Sequence, residues 1–494
     1  MHIRSRSVLA VLSLLLCSVL VAPAAFATDG MNLEGYGPIA TGMGGASMAY
    51  DNGTAAMMNN PATLSLMQSN NRLDAALGYL GPHITASAPG APDADSSSTA
   101  FFMPAIGWVQ KNKELSYGVG VFAQGGMGAE YSADSFLANP AGPGYPTGDK
   151  VRSELGVGRF LIPVSYEINK DLAVGGSLDF VWATLDLQMA LPGMEFLNMA
   201  GFTPTPSQFG TVTGDMLTSF GTLVANGVVN PTNPVNWGRF DFTDGSDFTG
   251  KAKGTGFAGK IGTVYKVNKQ LSLGATYHSK TALGDLEANG ATVSFNANVD
   301  NNVLAGGAPT GAGYTPVTIP VMGKIKVKDF QWPQMIGFGA AYQATDKLLL
   351  AADYKWINWA GVMKSFKMSF TADGYQYDPM AAAFANTTID ATLFQKWKDQ
   401  HVFMLGAAYK FTDQFTGRIG ANIANNPIPD QFLNYLFPAT IKSHYTLGAG
   451  YDINKTNTVN ASFTYAPEVK SDAGSGVTIK HYQTNAQVMY SYLF

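Results

Sequence analysis

The chain has 494 residues and a formal net charge of −4, from 31 basic and 35 acidic side chains. Charged residues make up 13% of it, about half the share usual in soluble domains, and glycine occupies 55 positions. This composition excludes a charge-rich disordered protein and a nucleic-acid binder, which would need a basic excess, and it argues against an ordinary cytosolic enzyme.

Residues 1–27 read as a secretory signal. Arg4 and Arg6 precede an apolar run over 8–21, and Ala25, Phe26 and Ala27 form a small-x-small cleavage site. The single cysteine, Cys17, lies in that run. The exported chain would therefore carry no disulfide, thiolate nucleophile or cysteine-held metal. After the signal no apolar stretch reaches the roughly 18–20 residues of a membrane helix, yet 46% of residues are hydrophobic. A large secreted β protein and an outer-membrane β-barrel both remain open.

Residues 28–71 show no alternation and many small side chains, the pattern of a plug inside a barrel. A first strand is expected near 72–88 and a last near 482–494. Between them one unit recurs at 166–172, 265–271, 342–348, 409–415 and 451–457. Each copy opens on a tyrosine, crosses a short polar turn and starts a fresh alternating run, which is a β-hairpin. A looser sixth copy spans 110–114. The joins on the other side, about 126–152, 191–252, 297–322, 367–399 and 426–441, are long and rich in Gly, Pro and Asn.

Short turns on one side and long loops on the other predict an all-β fold. It is a transmembrane antiparallel β-barrel of about fourteen strands, with an N-terminal plug over 28–71, the barrel over 72–494 and helical extracellular loops. An even count with both ends on the short-turn side closes the sheet and leaves no backbone edge in lipid. In this phase Tyr166, Tyr265, Tyr342, Tyr409 and Tyr451 form an inner aromatic girdle, with Trp182, Tyr277, Trp356 and Tyr465 as its outer counterpart.

The run 172–190 is nearly twice the roughly 9–11 residues of a spanning strand, and its pattern inverts. Thr184, Asp186 and Gln188 are polar on the lipid phase; Leu185, Leu187 and Met189 are apolar on the lumen phase. Either the barrel projects above the membrane, wet outside with an apolar lumen pocket at Leu185, Leu187 and Met189, or a bulge shifts the register. Loop helices are expected at 215–227, with Met216, Leu217 and Phe220 on one face, and at 388–399, with Ile389, Leu393, Phe394 and Trp397.

The G-x-G-x-x-G string at 254–260 alternates as a strand and has Ile261 where a P-loop needs Ser or Thr, so it is a decoy. Asp241, Asp244 and Asp247 miss the EF-hand spacing. The histidines are scattered, and no metal, cofactor or catalytic motif is implied. Phe494 ends an alternating strand with Ala486, Val488, Tyr490 and Tyr492 and resembles the signal read by the outer-membrane barrel assembly machinery.

Residues 35–52, followed by Asn59 to Leu64, resemble the N-terminal hatch of the FadL family of outer-membrane hydrophobic-compound transporters, with Asn60, Pro61 and Ala62 matching its NPA element. The resemblance covers essentially the whole mature chain. It implies passive uptake of long-chain fatty acids or other hydrophobic molecules, caught at extracellular loops and passed to an apolar lumen pocket. A shift of the hatch, with Asn60, Pro61 and Ala62 at the gate, then opens a lateral exit at a kink in the third strand. Here that strand is 115–131, and Gly125 and Gly126 are its natural kink or simply begin the loop. The family's pocket uses basic residues for the carboxylate. The run 172–190 has none, leaving Arg159, Lys260, Lys280 and Lys355 as carboxylate-binding candidates by lumen phase, or as wall charges paired with Asp179 or Asp353.

Neutral or aromatic hydrocarbons are the alternative cargo. A general diffusion porin and a barrel hydrolase built on His278 are the rival functions. The expected setting is the outer membrane of a Gram-negative cell, as a monomer among lipid and lipopolysaccharide, with a hydrophobic small-molecule ligand and no nucleic acid.

Overall fold

The computed structural model describes residues 29–246 and 249–494; the signal reading over 1–27 and the position of Asp247 lie outside them. The wall is built from β1 (Asn71–Ser87), β2 (Phe101–Asn112), β3 (Leu115–Tyr131), β4 (Val151–Glu167), β5 (Leu172–Pro192), β6 (Ala252–Lys266) and β7 (Leu271–His278). It continues through β8 (Met335–Thr345), β9 (Leu348–Ile357), β10 (Gln400–Lys410), β11 (Phe415–Ala424), β12 (Ser443–Asp452), β13 (Asn457–Asp472) and β14 (Thr478–Leu493). Each strand pairs antiparallel with the next, and β1 pairs with β14 from Arg72↔Leu493 to Ser87↔Thr478, so the sheet closes on itself. Closure gives every strand a partner on each side, as lipid requires, apart from a short unpaired stretch between β2 and β3.

The six expected tight turns all join consecutive strands of this ring. Side chains alternate across the wall. Leu178, Phe257, Ile261, Ile419 and Leu447 are exposed on the outside, with Tyr166, Tyr265, Tyr342, Tyr409 and Tyr451 at one level near the short turns. No helix among the described residues is long and apolar enough to cross a membrane.

Residues 29–67 lie within the ring and are almost entirely buried. Their bonds reach round the wall: Ser47 and Met48 amides donate to Asp353 on β9 (2.5 and 3.0 Å), Thr54 N to Asp74 on β1 (2.8 Å), and Gly44 N to Thr446 on β12 (3.0 Å). Close approach needs small residues on both sides. A β-carbon at Gly274 would lie 1.8 Å from Met48 O, and one at Gly420 would lie 2.0 Å from Gly44 N.

Above the membrane level the long loops depart from the expectation of irregular or helical connections. A second sheet continues from the top of β5 through Val235–Phe242, Leu286–Asp300, Tyr314–Lys328, Ser365–Ala372, Thr388–Phe394 and Gly210–Thr213. The helix Asp215–Ala225 forms as expected and buries Met216, Leu217 and Phe220. The second expected helix does not form. Thr388–Phe394 is a strand, with Ile389 and Ala391 buried between half-exposed Asp390 and Thr392, a period of two.

The β4–β5 register runs unbroken from Arg152↔Gln188 to Glu167↔Ala173, so the inversion along β5 is not a bulge. Nor is its outer face wet. Asp186 is buried, accepting from Lys251 N (2.6 Å) and Thr243 Oγ1 (2.7 Å), and Gln188 donates to Asp241 (2.9 Å).

Candidate functional site

The β2–β3 ladder starts at the short turn and stops at Ala105↔Phe122. Above it Phe101 to Pro104 pair with β1 alone, and Pro104 has no N–H to offer a second neighbour. Across the gap, β3 shifts register between Ala123 and Gly125, which leaves Gln124 as a bulge. Higher up the wall re-forms where Ser97 N donates to Glu130 O (2.8 Å) and Glu130 N to Ser96 Oγ (3.1 Å). The result is a window between β2 and β3 with Gly125 and Gly126 on its rim.

The hatch touches that rim directly. Asn32 bridges Gly125, Gly126 N donates to Met31 O (3.1 Å), and Tyr36 Oη donates to Gln124 O (2.7 Å). Behind the window lies a cavity of about 390 Å³. Its lining joins the hatch at Met31 and Leu33, the rim glycines, Phe101 and Met103 on β2, and Ile84 on β1. Phe102 and Val121, exposed on the outer face, line it too, so the cavity passes through the wall.

Leu185, Leu187 and Met189 meet in a separate apolar cavity with Met31, Phe366 and Phe437. Its volume is about 30 Å³, room for about two waters. Met31 lines both spaces, so the hatch end separates them.

Three of the four basic candidates converge below. Arg159, Lys260 and Lys355 surround another cavity of about 30 Å³ together with His278; Lys280 is exposed and apart from it. Asp179, fully buried, accepts from Arg159 Nη1 (2.6 Å) and from Lys260 Nζ. Lys355 lies 3.8 Å from Asp29 of the hatch rather than on Asp353, which holds the Ser47 and Met48 amides. Burial pushes the Asp29 carboxyl up to about 7, against the Lys355 ammonium and the Asn422 amide. His278 Nε2 sits 2.9 Å from the carbonyl of Asn59, a hatch contact and not a catalytic pairing.

Asn60, Pro61 and Ala62 stand low in the barrel against β5 and β6. Asn60 Nδ2 donates to Met48 O (2.8 Å) and Thr263 O (3.1 Å), and its Oδ1 accepts from Ala62 N (3.1 Å), capping the short helix Pro61–Leu66. β-Carbons at Gly262 and Gly175 would lie 2.0 Å from Asn60 Oδ1 and 2.6 Å from Ala62 N. The motif is wedged between two strands and pins the hatch there.

Sequence reasoning missed Pro104, Gln124 and Asp29. A proline within an alternating strand marks an unpaired edge, so Pro104 was the readable signal for the window. Asp29 had none, because its partner Lys355 lies on β9, remote in sequence.

A closed antiparallel barrel with an apolar outer face, an internal hatch and a cavity opening through the wall defines an outer-membrane channel for hydrophobic compounds. The chain matches the family described as outer membrane protein transport protein (OMPP1/FadL/TodX) over residues 14–490 and belongs to that family. It is a transport channel of the outer membrane rather than an enzyme. The crystal structure of the Pseudomonas putida toluene transporter TodX superposes with a TM-score of 0.76 at 28% identity, over 94% of this chain and 99% of that one. The long-chain fatty acid transport protein of Escherichia coli O157:H7 is 22% identical over 93% of this chain and 91% of its own length. An uncharacterized protein of Chlorobium limicola is 52% identical over 62 residues, 13% of this chain and 30% of that protein's length.

Proposed function

We propose that the barrel admits compact, uncharged hydrophobic compounds, aromatic hydrocarbons first among them. They enter past the apolar upper sheet, occupy the cavity behind Gly125 and Gly126, and leave sideways through the β2–β3 window as hatch residues 31–36 shift. The observation that carries this reading is the pairing of the bases. Arg159 and Lys260 share Asp179, and Lys355 faces Asp29. A carboxylate cargo would have to displace a buried counter-ion, whose loss is costly. The likeness to a toluene transporter supports the same choice.

Long-chain fatty acids are the second reading, which the Escherichia coli relative and the exposed Lys253 at the cavity's edge support. The test is uptake of labelled toluene and labelled oleate by a Gram-negative host that lacks its own fatty-acid channel. Expression of this protein should speed toluene entry and leave oleate entry unchanged; the reverse result overturns the assignment. In the same reading Phe494, stacked on Tyr492, addresses the chain to the barrel assembly machinery, and the barrel works as a monomer in lipid and lipopolysaccharide. Deleting Phe494 should lower the amount of folded barrel in the outer membrane.

A further inference from the structure

The cavity behind the window does not end at the wall. Its lining runs on over β4 and β5, where it takes in Gly156, Gly158, Trp182 and Thr184, with Thr249 and Lys253 at its upper end. The first four share the outer face. Phe160 pairs with Phe180, and both are exposed outside; at the next two outward positions Gly158 pairs with Trp182 and Gly156 with Thr184. Gly126 on the rim pairs with Gly156. The window therefore opens into a trough on the lipid side of the wall.

The floor of this trough is bare. Among the described residues a β-carbon on Gly156 would meet only Thr184 Oγ1, at 3.5 Å, so open space stands above that glycine. One step lower the trough has an aromatic wall. The Trp182 indole lies across Gly158, where a β-carbon would fall 2.1 Å from Cζ2 and 2.4 Å from Cε2. From Leu172 to Trp182 the strand covers the roughly 9–11 residues of a membrane crossing, and the next outward pair, Thr184 with Lys253, is polar. Trp182 thus stands where the apolar band ends. A tryptophan that only anchors a barrel in the interface needs no cavity beside it. This one is half-buried and borders the continuous space that begins at Met31.

We propose that the trough is a second station for the cargo, outside the window, and that Trp182 makes it selective for an aromatic ring over a saturated hydrocarbon of the same size. An aromatic guest above Gly156 meets the indole edge-to-face or offset, a contact worth more than the area it buries. A saturated ring gains the area alone. Thr249 and Lys253 close the upper end with polar groups, so an apolar guest stays beside the indole until it passes into lipid. This inference rests on the reading of the window as the cargo's exit.

The test measures entry of toluene and of methylcyclohexane, the same carbon skeleton without the aromatic ring, into a Gram-negative host expressing the full-length protein. Entry into cells without the protein is subtracted. Wild-type protein should favour toluene, and in Trp182→Leu the ratio should fall about threefold, the worth of one aromatic contact. Trp182→Phe keeps a ring and should keep most of the ratio. Gly156→Leu fills the trough and should slow both compounds several-fold with no change in hydrogen exchange at amides 31–36. An unchanged ratio in Trp182→Leu, or unchanged entry in Gly156→Leu, overturns the station and leaves the channel reading in place; wild-type protein that speeds neither compound overturns both. Fluorine-19 NMR of the 5-fluorotryptophan-labelled barrel in lipid nanodiscs reads the site directly. Toluene should move the Trp182 resonance more than that of Trp356, which does not line the cavity; equal shifts mean toluene merely dissolved in the bilayer and overturn the station.

Discussion

The amide of Gly126 donates to the carbonyl of Met31 at 3.1 Å, so the bulged stretch of β3 and the first turn of the hatch hold one another in place. The neighbouring glycines leave no slack. A β-carbon at Gly125 would lie 2.1 Å from that same Met31 oxygen, and one at Gly126 would lie 2.1 Å from Leu155 O. Substitution therefore acts on the hatch before it narrows the window. Gly125→Val should leave the barrel folded, release amides 31–36 to hydrogen exchange and reduce cargo uptake several-fold. Gly144→Ala, with nothing within 4 Å of the added carbon, is the neutral control. Unchanged exchange over 31–36 in Gly125→Val would sink the coupling.

Asn60 makes three hydrogen bonds through one side chain, to Met48 O, Thr263 O and Ala62 N. Alanine there removes the cap of Pro61–Leu66 and leaves two buried carbonyls short of a donor, a cost of about 1–3 kcal/mol. Of these atoms only Thr263 O belongs to a barrel strand, and β5 and β7 hold that strand on both sides, so Asn60→Ala should keep the heat-resistant folded band on a denaturing gel. The loosened hatch should leak. Influx of a small polar dye substrate to a periplasmic enzyme should rise while hydrophobic uptake falls. Wild-type values for both would remove Asn60 from the gating role.

Much of the ring was legible because hairpins are local. A tyrosine, a polar turn and an alternating run lie within a few residues of one another at Tyr166, Tyr265, Tyr342, Tyr409 and Tyr451, and all five occur at strand ends. The upper sheet was not legible for the opposite reason. Thr388–Phe394 is held on one side by Ser365–Ala372 and on the other by Gly210–Thr213, a strand from a different loop, so nothing nearby in sequence reveals that second partner. Its Ile389 and Leu393 also satisfy the i, i+4 spacing of a helix, and tertiary pairing overrode that pattern. The site was half legible. Phase alone placed Arg159, Lys260 and Lys355 on the lumen, but their counter-ions decide what they can do, and Asp29 arrives through the hatch.

Asp179 is the common acceptor for Arg159 and Lys260 and is fully buried. Asp179→Asn keeps the shape and removes the charge, stranding two cations in a site with little room for water. Breaking a buried ion pair costs about 3–5 kcal/mol, so the unfolding midpoint in denaturant should drop clearly. The same change frees two bases beside the cavity they share with Lys355. Oleate binding should therefore rise in Asp179→Asn relative to wild type. If the variant is as stable as wild type and binds no more oleate, the pairing does not exclude anionic cargo.

Asp29 gives the hatch end a pH dependence whose sign follows from its surroundings. Burial raises its carboxyl to about 7, opposed by Lys355 and the Asn422 amide and reinforced by Glu34. Released into water the group returns to about 3.9. The seated end thus holds its proton more tightly than the released end. Seating is strongest below about pH 4, weakens as the pH rises toward 7 and is level above that. Amides 31–34 should therefore exchange faster at pH 8 than at pH 5 after correction for the intrinsic chemical rate. Asp29→Asn, which cannot ionise, should abolish the difference. A corrected rate that does not change with pH in the wild type, or one that still changes in Asp29→Asn, places the control of the hatch end on another group.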